Sequence, residues 1–144
     1  MTERSDLLSK LILASHGEMS KGLLNSITMI VGDELTKDIK TYCLYPGESP
    51  NDIYLEIEEK IKNEDEQFII LCDVKGGSVH TTLSKLIVYP NVIVISGMNM
   101  NMVLDLVLSY KQLTPDTMEA FIESAKSGIT ILSNVLAETE DEDF

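Results

Sequence analysis

The chain has 144 residues, of which 44% are hydrophobic, and a formal net charge of −13 at pH 7. This length predicts one domain with a proper core, over residues 1–136, and the acidic balance excludes nucleic acid and anionic membranes as general partners because both require a basic surface. The apolar runs are too short to span a bilayer and the amino end has no secretory h-region, so we expect a soluble, cytoplasmic protein.

Short apolar runs alternate with helical periodicity along the chain. Strands are predicted over residues 7–14, 39–45, 68–72 and 92–95. Apolar stripes at helical spacing predict five helices, around residues 23–31, 53–61, 83–87, 103–110 and 118–125. Strands that alternate with helices indicate an α/β fold, with a doubly wound, mostly parallel sheet of four strands flanked by helices.

Local signals mark several of the helix ends. Gly32 is a C-terminal stop signal for the first helix. Ser49-Pro50 and Thr114-Pro115 each combine an N-cap with a first-turn proline, and so mark the starts of the second and fifth helices. Residues 129–132 either continue the last helix or form a further strand, because four residues are too few for periodicity to decide.

The cysteines and the carboxyl end indicate no special chemistry. Cys43 and Cys72 lie in apolar strand-like runs without C-x-x-C spacing, so we expect buried, reduced thiols and no disulfide or zinc site. Residues 137–144 lack an apolar face and include five carboxylates within 138–143, which predicts a disordered acidic tail.

His16 stands where the first strand ends and the next helix begins. In a parallel α/β sheet, reacting groups gather at the carboxyl ends of the strands, near helix N-termini that favour phosphate. The alternative is an ordinary solvated loop histidine. Asp73 ends the third strand at the same sheet edge, where its carboxylate can accept the N–H of one imidazole nitrogen and leave the other lone pair free to attack. Its alternative role is that of a capping aspartate.

The segment Gly76-Gly77-Ser78 comes shortly after Asp73. Two glycines permit the backbone to turn its N–H groups inward as an anion nest, while the serine hydroxyl donates or caps; the alternative is a simple turn. We interpret His80 as a surface or site-rim residue. Lys21 and Lys75 either soften the acidic field near these loops or are solvated surface lysines. The methionines within residues 98–102 are interpreted as core or partner-contact filler, since no metal-ligand pattern accompanies them.

Three segments carry a resemblance to a known family: ILASHGEMSKGLLNSI, FIILCDVKGGSVHTTL and VIVISGMNMNMVLDLV. In this order and at similar spacing they resemble the signature regions of the mannose-type enzyme IIA domain of the bacterial phosphoenolpyruvate-dependent sugar phosphotransferase system (PTS). The likeness covers residues 8–135. It rests on the combination of S-H-G, an apolar strand ending in Asp, G-G-S and a later G-x-N-x-x-M.

The resemblance implies a phosphotransferase component with a phosphohistidine intermediate and no cofactor or metal. His16 then accepts a phosphoryl group from the phosphocarrier HPr and passes it to a histidine of a IIB protein or domain. Asp73 matches the carboxylate that orients the imidazole, and Gly76, Gly77 and Ser78 match the loop that receives the phosphoryl oxygens.

The same resemblance extends to the rest of the chain. Gly97 and Asn99 match the loop beside the site, with Met102 at its end. The implied fold adds a fifth, antiparallel C-terminal strand at residues 129–132, exchanged between the subunits of a homodimer that associates at most peripherally with a membrane sugar permease.

The chain departs from the family pattern at three positions. Val79 and Asn101 stand where the family usually has proline, and Lys75 stands at a position that is often aromatic. None of these departures removes a reacting atom. We expect them to affect loop rigidity and partner preference, and the transported sugar stays undetermined.

Three other functional classes compete with this one. A phosphohistidine-bearing regulatory subunit of a dihydroxyacetone kinase-like system would use a similar histidine, but the Gly76-Gly77-Ser78 loop favours the sugar branch. A flavodoxin-like binding module is disfavoured because the chain has no Trp and no aromatic pair beside the loops. A Ser-His-Asp hydrolase built on Ser78 would require a nucleophile elbow of the G-x-S-x-G kind, which Gly-Gly-Ser-Val lacks.

Overall fold

A four-stranded parallel sheet forms the centre of the computed structural model, which describes residues 8–135. Its strands are β1 (Lys10–His16), β2 (Lys40–Leu44), β3 (Phe68–Cys72) and β4 (Val92–Ile95). They lie in the order β2-β1-β3-β4, and every neighbouring pair is parallel. The predicted α/β fold with a mostly parallel four-stranded sheet is confirmed.

Helices connect the strands and cover both faces of the sheet. They are α1 (Met19–Val31), α2 (Asp33–Thr36), α3 (Pro50–Asn63), α4 (Ser78–Leu83), α5 (Met100–Ser109) and α6 (Pro115–Ser127), and a 3₁₀ helix over Ser84–Val88 continues α4. Ser49 caps α3 through its side chain, and Thr114 forms a capping box with Thr117 at the start of α6, as the local signals predict. Among the described residues, no helix is long and apolar enough to cross a membrane.

Two hydrophobic clusters, one on each face of the sheet, form the core. Side chains alternate along β1, so Leu13 joins the cluster beneath α1, α5 and α6, whereas Ile12 joins the cluster beneath α3 and α4. All five residues of β3 are buried, as expected for a parallel strand with helices on both sides. This coverage leaves the carboxyl edge of the sheet as the exposed place where loops meet.

The boundaries of the first strand differ from the prediction over residues 7–14. Pairing with β3 begins at Lys10, opposite Phe68, and Leu8 lies outside the strand with 67% of its surface exposed. At the other end, β1 continues past Ala14 because Ser15 and His16 still pair with β2. His16 is therefore the last residue of the strand.

Several helical details also differ from the prediction. The four-residue α2 was not predicted, because one turn is too short to show a period. Ile30 and Ile87, which we placed in buried stripes, are 59% and 63% exposed. Ile87 lies in the 3₁₀ segment, whose tighter turns shift side chains off the α-helical stripe. Cys43 is half-buried, although Cys72 is fully buried.

Residues 129–135, the last that the structure describes, contain no strand. Residues 129–133 have no regular secondary structure, and Ile129, Ile131 and Leu132 are all at least 75% exposed. A strand exchanged between two chains stays a prediction. The expected acidic tail over 137–144 lies outside the described residues.

Candidate functional site at the carboxyl edge of the sheet

The register between β1 and β3 brings His16 next to Asp73. Ala14 pairs with Cys72, so the chain segments after these two residues leave the sheet side by side. His16 ends β1, and Asp73 is the first residue after β3. Two residues that are 57 positions apart in sequence are thus adjacent in space.

One carboxylate oxygen binds His16 twice. Asp73 Oδ2 lies 2.7 Å from the main-chain nitrogen of His16 and also 2.7 Å from its Nδ1. The other carboxylate oxygen, Oδ1, accepts the N–H of Val74 at 2.8 Å. The Asp73 side chain is only 10% exposed, whereas the His16 side chain is 48% exposed.

These contacts determine the charge of Asp73 and the tautomer of His16. Burial opposes ionisation of Asp73, but hydrogen bonds from the His16 N–H, the His16 ring and the Val74 N–H outweigh it and lower the pKa of the carboxyl group. An ionised carboxylate only accepts hydrogen bonds, so the proton of the neutral His16 ring lies on Nδ1. The lone pair is then on Nε2.

Ser78 lies against that lone pair. Its Oγ is 3.0 Å from His16 Nε2, and because Nε2 is unprotonated in the neutral ring, the hydroxyl is the donor. Ser78 is also the first residue of α4, a position whose main-chain N–H has no carbonyl partner within the helix. The last residue of β1 and the first residue of α4 are therefore joined by a hydrogen bond at Nε2.

The two glycines before Ser78 have separate roles. Gly76 has φ +81°, a conformation that L side chains rarely adopt. Gly77 allows close approach instead, since a Cβ atom there would lie 2.8 Å from Val74 Cγ1 and 3.4 Å from His16 Cε1. A Cβ there would also lie 3.3 Å from the Val74 carbonyl oxygen, so a side chain at position 77 would clash with Val74 and only touch the imidazole.

The N–H groups of both glycines already have protein partners. Gly77 donates to the Val74 carbonyl oxygen at 3.1 Å, and Gly76 donates to Nδ1 of His80 at 3.0 Å. The Gly76 carbonyl oxygen in turn accepts from the Thr81 hydroxyl at 3.3 Å. In this conformation the segment is a turn whose glycine N–H groups are hydrogen-bonded within the protein. Its role in binding phosphoryl oxygens stays a proposal.

Gly97 and Asn99 lie in the loop after β4. The N–H of Met98 in this loop donates to the Cys72 carbonyl oxygen at 2.9 Å, which anchors the loop to the end of β3. Asn99 caps α5 by accepting the Met102 N–H, and its amide donates to the Gly97 carbonyl oxygen. Among residues 8–135, no hydrogen bond joins either residue to His16, Asp73 or Ser78.

Exposed side chains follow three of the strands at the sheet edge where His16 lies. Met19, Tyr45 and Val74, which come after β1, β2 and β3, are 48%, 43% and 55% exposed. The Tyr45 hydroxyl donates to Glu18 at 3.1 Å. Lys21 and Lys75 are both exposed. The surroundings of His16 are thus an open, mixed surface.

Other reactive groups and grooves lie apart from this chemistry. Burial and the neighbouring Asp73 raise the pKa of the Cys72 thiol to about 12, so it is a poor nucleophile at neutral pH. A groove of about 360 Å³ lies between α5 and α6, and another of about 470 Å³ lies along α3. No group of three potential metal ligands occurs within the described part of the chain.

Two contributions to the site were missed by sequence reasoning. One is the hydrogen bond from the Gly76 N–H to His80. Their i,i+4 spacing allows such a contact, but a sequence does not show which group a histidine side chain will bind. The buried Ser15 was also missed: its Oγ accepts the Ser20 N–H at 2.8 Å and thereby holds the turn after His16.

Comparison with known proteins gives a consistent result. Residues 10–126 match the EIIA-man family model, described as the PTS system fructose IIA component. The PTS system sorbose-specific EIIA component of Klebsiella pneumoniae is 26% identical over 135 residues, which cover 92% of this chain and 97% of that protein.

Solved structures agree with this similarity. The PTS component EIIA of Streptococcus agalactiae is 26% identical with a TM-score of 0.76, and the match covers 86% of this chain and 97% of that one. The mannose/sorbose-specific IIA subunit of Enterococcus faecalis, at 23% identity, shares the fold with a TM-score of 0.76 over 88% of this chain and 96% of that one.

Proposed function

The chain belongs to the EIIA-man family of PTS IIA components, and from this premise we propose that it is a phosphocarrier, in which His16 accepts a phosphoryl group from HPr and donates it to a histidine of a IIB protein or domain. Membership makes it a PTS IIA component of the mannose/sorbose type. The direction of transfer, the two partners and the phosphohistidine are the proposed part.

The observation that carries the proposal is the state of the His16 imidazole. Asp73 holds the proton on Nδ1, and Nε2 keeps its lone pair on a ring that is 48% exposed. A neutral imidazole with one nitrogen fixed and the other accessible is the form that attacks phosphorus.

The transfer needs only groups that are present at the site. At rest the Ser78 hydroxyl donates to Nε2. Rotation about the serine Cα–Cβ bond frees the lone pair and directs the hydroxyl to a phosphoryl oxygen. Nε2 then attacks phosphorus in line, a new N–P bond forms, and the bond between phosphorus and the donor breaks with its electron pair leaving on the donor. Asp73 stabilises the positive charge that develops on the ring.

The shape of the surface supports a protein partner. His16 lies at a sheet edge with exposed side chains after β1, β2 and β3, and the grooves at α5–α6 and along α3 are lined by no residue of the site. Exposed apolar and aromatic groups such as Met19 and Tyr45 are typical of protein contact surfaces. A small substrate would need an enclosing pocket.

The proposal includes a homodimer in the cytoplasm that exchanges residues 129–132. Two features support the exchange: Ile129, Ile131 and Leu132 are exposed in the single chain, and β4 is an edge strand whose pairing partner among the described residues is β3. Sedimentation of the full chain should give a dimer, and truncation after Gly128 should give a monomer. A full-length monomer would contradict the exchange.

A hydrolase is the second candidate because Ser78, His16 and Asp73 are hydrogen-bonded in the order of a serine hydrolase relay. It would attack an acyl carbon through Ser78 Oγ. We expect no burst of p-nitrophenolate from p-nitrophenyl acetate that depends on Ser78. A burst that Ser78→Ala abolishes would instead favour the hydrolase.

Phosphorylation in a reconstituted system tests the phosphocarrier directly. The protein is incubated with labelled phosphoenolpyruvate, enzyme I and HPr, and an acid-labile, base-stable adduct is expected on the wild type. His16→Gln, checked for folding by circular dichroism, should take no label. Absence of label on the wild type, or equal label on His16→Gln, would overturn the proposal.

Onward transfer is tested with the purified labelled protein. Addition of a mannose-type IIB protein should remove the label from His16 and place it on a histidine of the acceptor. Label that reaches a dihydroxyacetone kinase subunit but no IIB protein would assign the chain to the kinase branch instead.

A further inference from the structure

Both main-chain polar groups of Gly76, its N–H and its carbonyl oxygen, are hydrogen-bonded to side chains of α4. The Gly76 N–H donates to His80 Nδ1 at 3.0 Å, and the Gly76 carbonyl oxygen accepts from Thr81 Oγ1 at 3.3 Å. A segment with two adjacent glycines has more backbone freedom than any other dipeptide, so such ties decide which conformation it keeps. The turn before Ser78 is therefore held by the helix that begins at Ser78.

The hydrogen bond to Gly76 determines the protonation of His80. A backbone N–H can only donate, so Nδ1 of His80 must carry its lone pair, and the proton of the neutral ring lies on Nε2. His16 has the opposite arrangement, with its proton on Nδ1 facing Asp73. The two histidines of the chain are thus expected in opposite tautomers.

The position of Gly76 matters because the next two residues lie at the imidazole of His16: Gly77 beside the ring and Ser78 in hydrogen-bond contact with it. A Cβ atom at Gly77 would lie in contact with the ring, 3.4 Å from Cε1. Ser78 places its Oγ 3.0 Å from Nε2. A shift of the Gly76 peptide would move both residues relative to the imidazole.

We propose that His80 is a positioning residue of the phosphorylation site: in its Nε2-protonated form it accepts the Gly76 N–H and thereby fixes the turn that presents Ser78 to His16. This inference rests on the proposed phosphocarrier function. His80 acts through Gly76 and Ser78 and contacts no reacting atom.

The tautomers are measured first, on the unmodified protein. A ¹H–¹⁵N spectrum of the imidazole rings at pH 8, above the usual histidine pKa of about 6.5, should show one Nδ1-protonated and one Nε2-protonated ring. The Nε2-protonated ring should disappear in His80→Leu. A His80 ring protonated on Nδ1 would overturn the proposal.

Two substitutions at position 80 separate hydrogen bonding from packing. His80→Leu keeps the approximate size but accepts no hydrogen bond, and we expect phosphorylation of His16 to slow about fivefold and the Gly76 amide to exchange faster. His80→Asn places an amide oxygen near the position of Nδ1, and it should restore the rate to within about twofold of wild type.

Thr82→Val provides the matched control on the same helix. Among the described residues the Thr82 side chain makes no hydrogen bond, so phosphorylation of His16 in this variant should be as fast as in the wild type. A wild-type rate in His80→Leu, or equal losses of rate in the Leu and Asn variants, would overturn the role of His80 but leave the phosphocarrier proposal standing. Absence of label on the wild type would overturn the phosphocarrier function, and the role of His80 with it.

Discussion

Asp73 Oδ2 accepts both the main-chain N–H and the ring Nδ1–H of His16, each at 2.7 Å. One oxygen thereby holds the backbone at the end of β1 and the orientation of the imidazole together. The second oxygen is occupied by the Val74 N–H. Three donors are thus divided between two acceptor atoms, and neither oxygen can be replaced by a donor without loss of a hydrogen bond.

Asp73→Asn should slow phosphorylation of His16 by about 100-fold or more. An amide has one acceptor oxygen, so its NH₂ group must face either the Val74 N–H or the His16 ring. In the second case it donates to Nδ1, moves the ring proton to Nε2 and removes the attacking lone pair. Single-turnover kinetics from phospho-HPr measures the loss, with the exposed Asp116→Asn as a control that should match the wild type.

Acidification should remove the stabilisation that Asp73 provides. Its pKa is lowered in the folded state, so the ionised form stabilises the fold at pH values above the ordinary Asp pKa of about 3.9, and this contribution is lost as pH falls through the lower folded value. Urea unfolding at pH 7 should find Asp73→Asn less stable than wild type by about 1–2 kcal/mol. That difference should shrink below pH ~4; a constant difference would contradict the assignment.

Gly77→Ala should disturb the site through Val74. The added Cβ would lie 2.8 Å from Val74 Cγ1 and 3.3 Å from the Val74 carbonyl oxygen, whereas its 3.4 Å distance to His16 Cε1 is an ordinary contact. Val74 must therefore shift, and its N–H is the donor to Asp73 Oδ1. We expect about tenfold slower phosphorylation with about 1 kcal/mol lower stability.

Gly22→Ala is the matched control for Gly77→Ala. A Cβ at Gly22 meets no atom within 4 Å, and the residue lies within the exposed part of α1. This substitution should raise the free energy of unfolding by about 0.5–1 kcal/mol and leave the phosphorylation rate unchanged. Equal rates for the two variants would show that the clearance at Gly77 is unimportant.

Ser78→Ala should reduce the rate of phosphoryl transfer about tenfold, because the phosphoryl oxygens lose a hydroxyl donor. The side chain is at the protein surface, so thermal stability should change little. Ser78→Thr, which keeps the hydroxyl, should recover most of the rate. A full rate in Ser78→Ala would exclude the serine hydroxyl from the transfer.

The two thiols should differ in reactivity. Cys72 is buried with its pKa raised to about 12 by burial and by Asp73, whereas Cys43 is half-buried beside Ser20. Iodoacetamide at pH 8 should label the native protein once, at Cys43, and the urea-unfolded protein twice, as read by mass spectrometry. Native labelling that persists in Cys43→Ser would contradict this order.

Much of the architecture was predictable because it depends on local signals. The buried run of β3 follows from an uninterrupted apolar stretch, and the start of α3 follows from the cap at Ser49 and the proline after it. Boundaries that depend on pairing were less accurate. β1 ends at His16 because of its neighbour β2, and Ile87 is exposed because α4 tightens into a 3₁₀ helix.

The sequence by itself determined the fold class and the residue types at the sheet edge, since hydrophobic period and the rule that parallel strands end together require no coordinates. It also singled out His16, Asp73 and Ser78 as companions. Only the tertiary structure decided which nitrogen of His16 faces which partner. It also decided that a side chain at position 77 would clash with Val74 and that the Gly76 N–H donates to His80. Those relations depend on strand register and side-chain direction to within about an ångström, because hydrogen bonds and steric contacts act over that range and no local pattern in the chain records it.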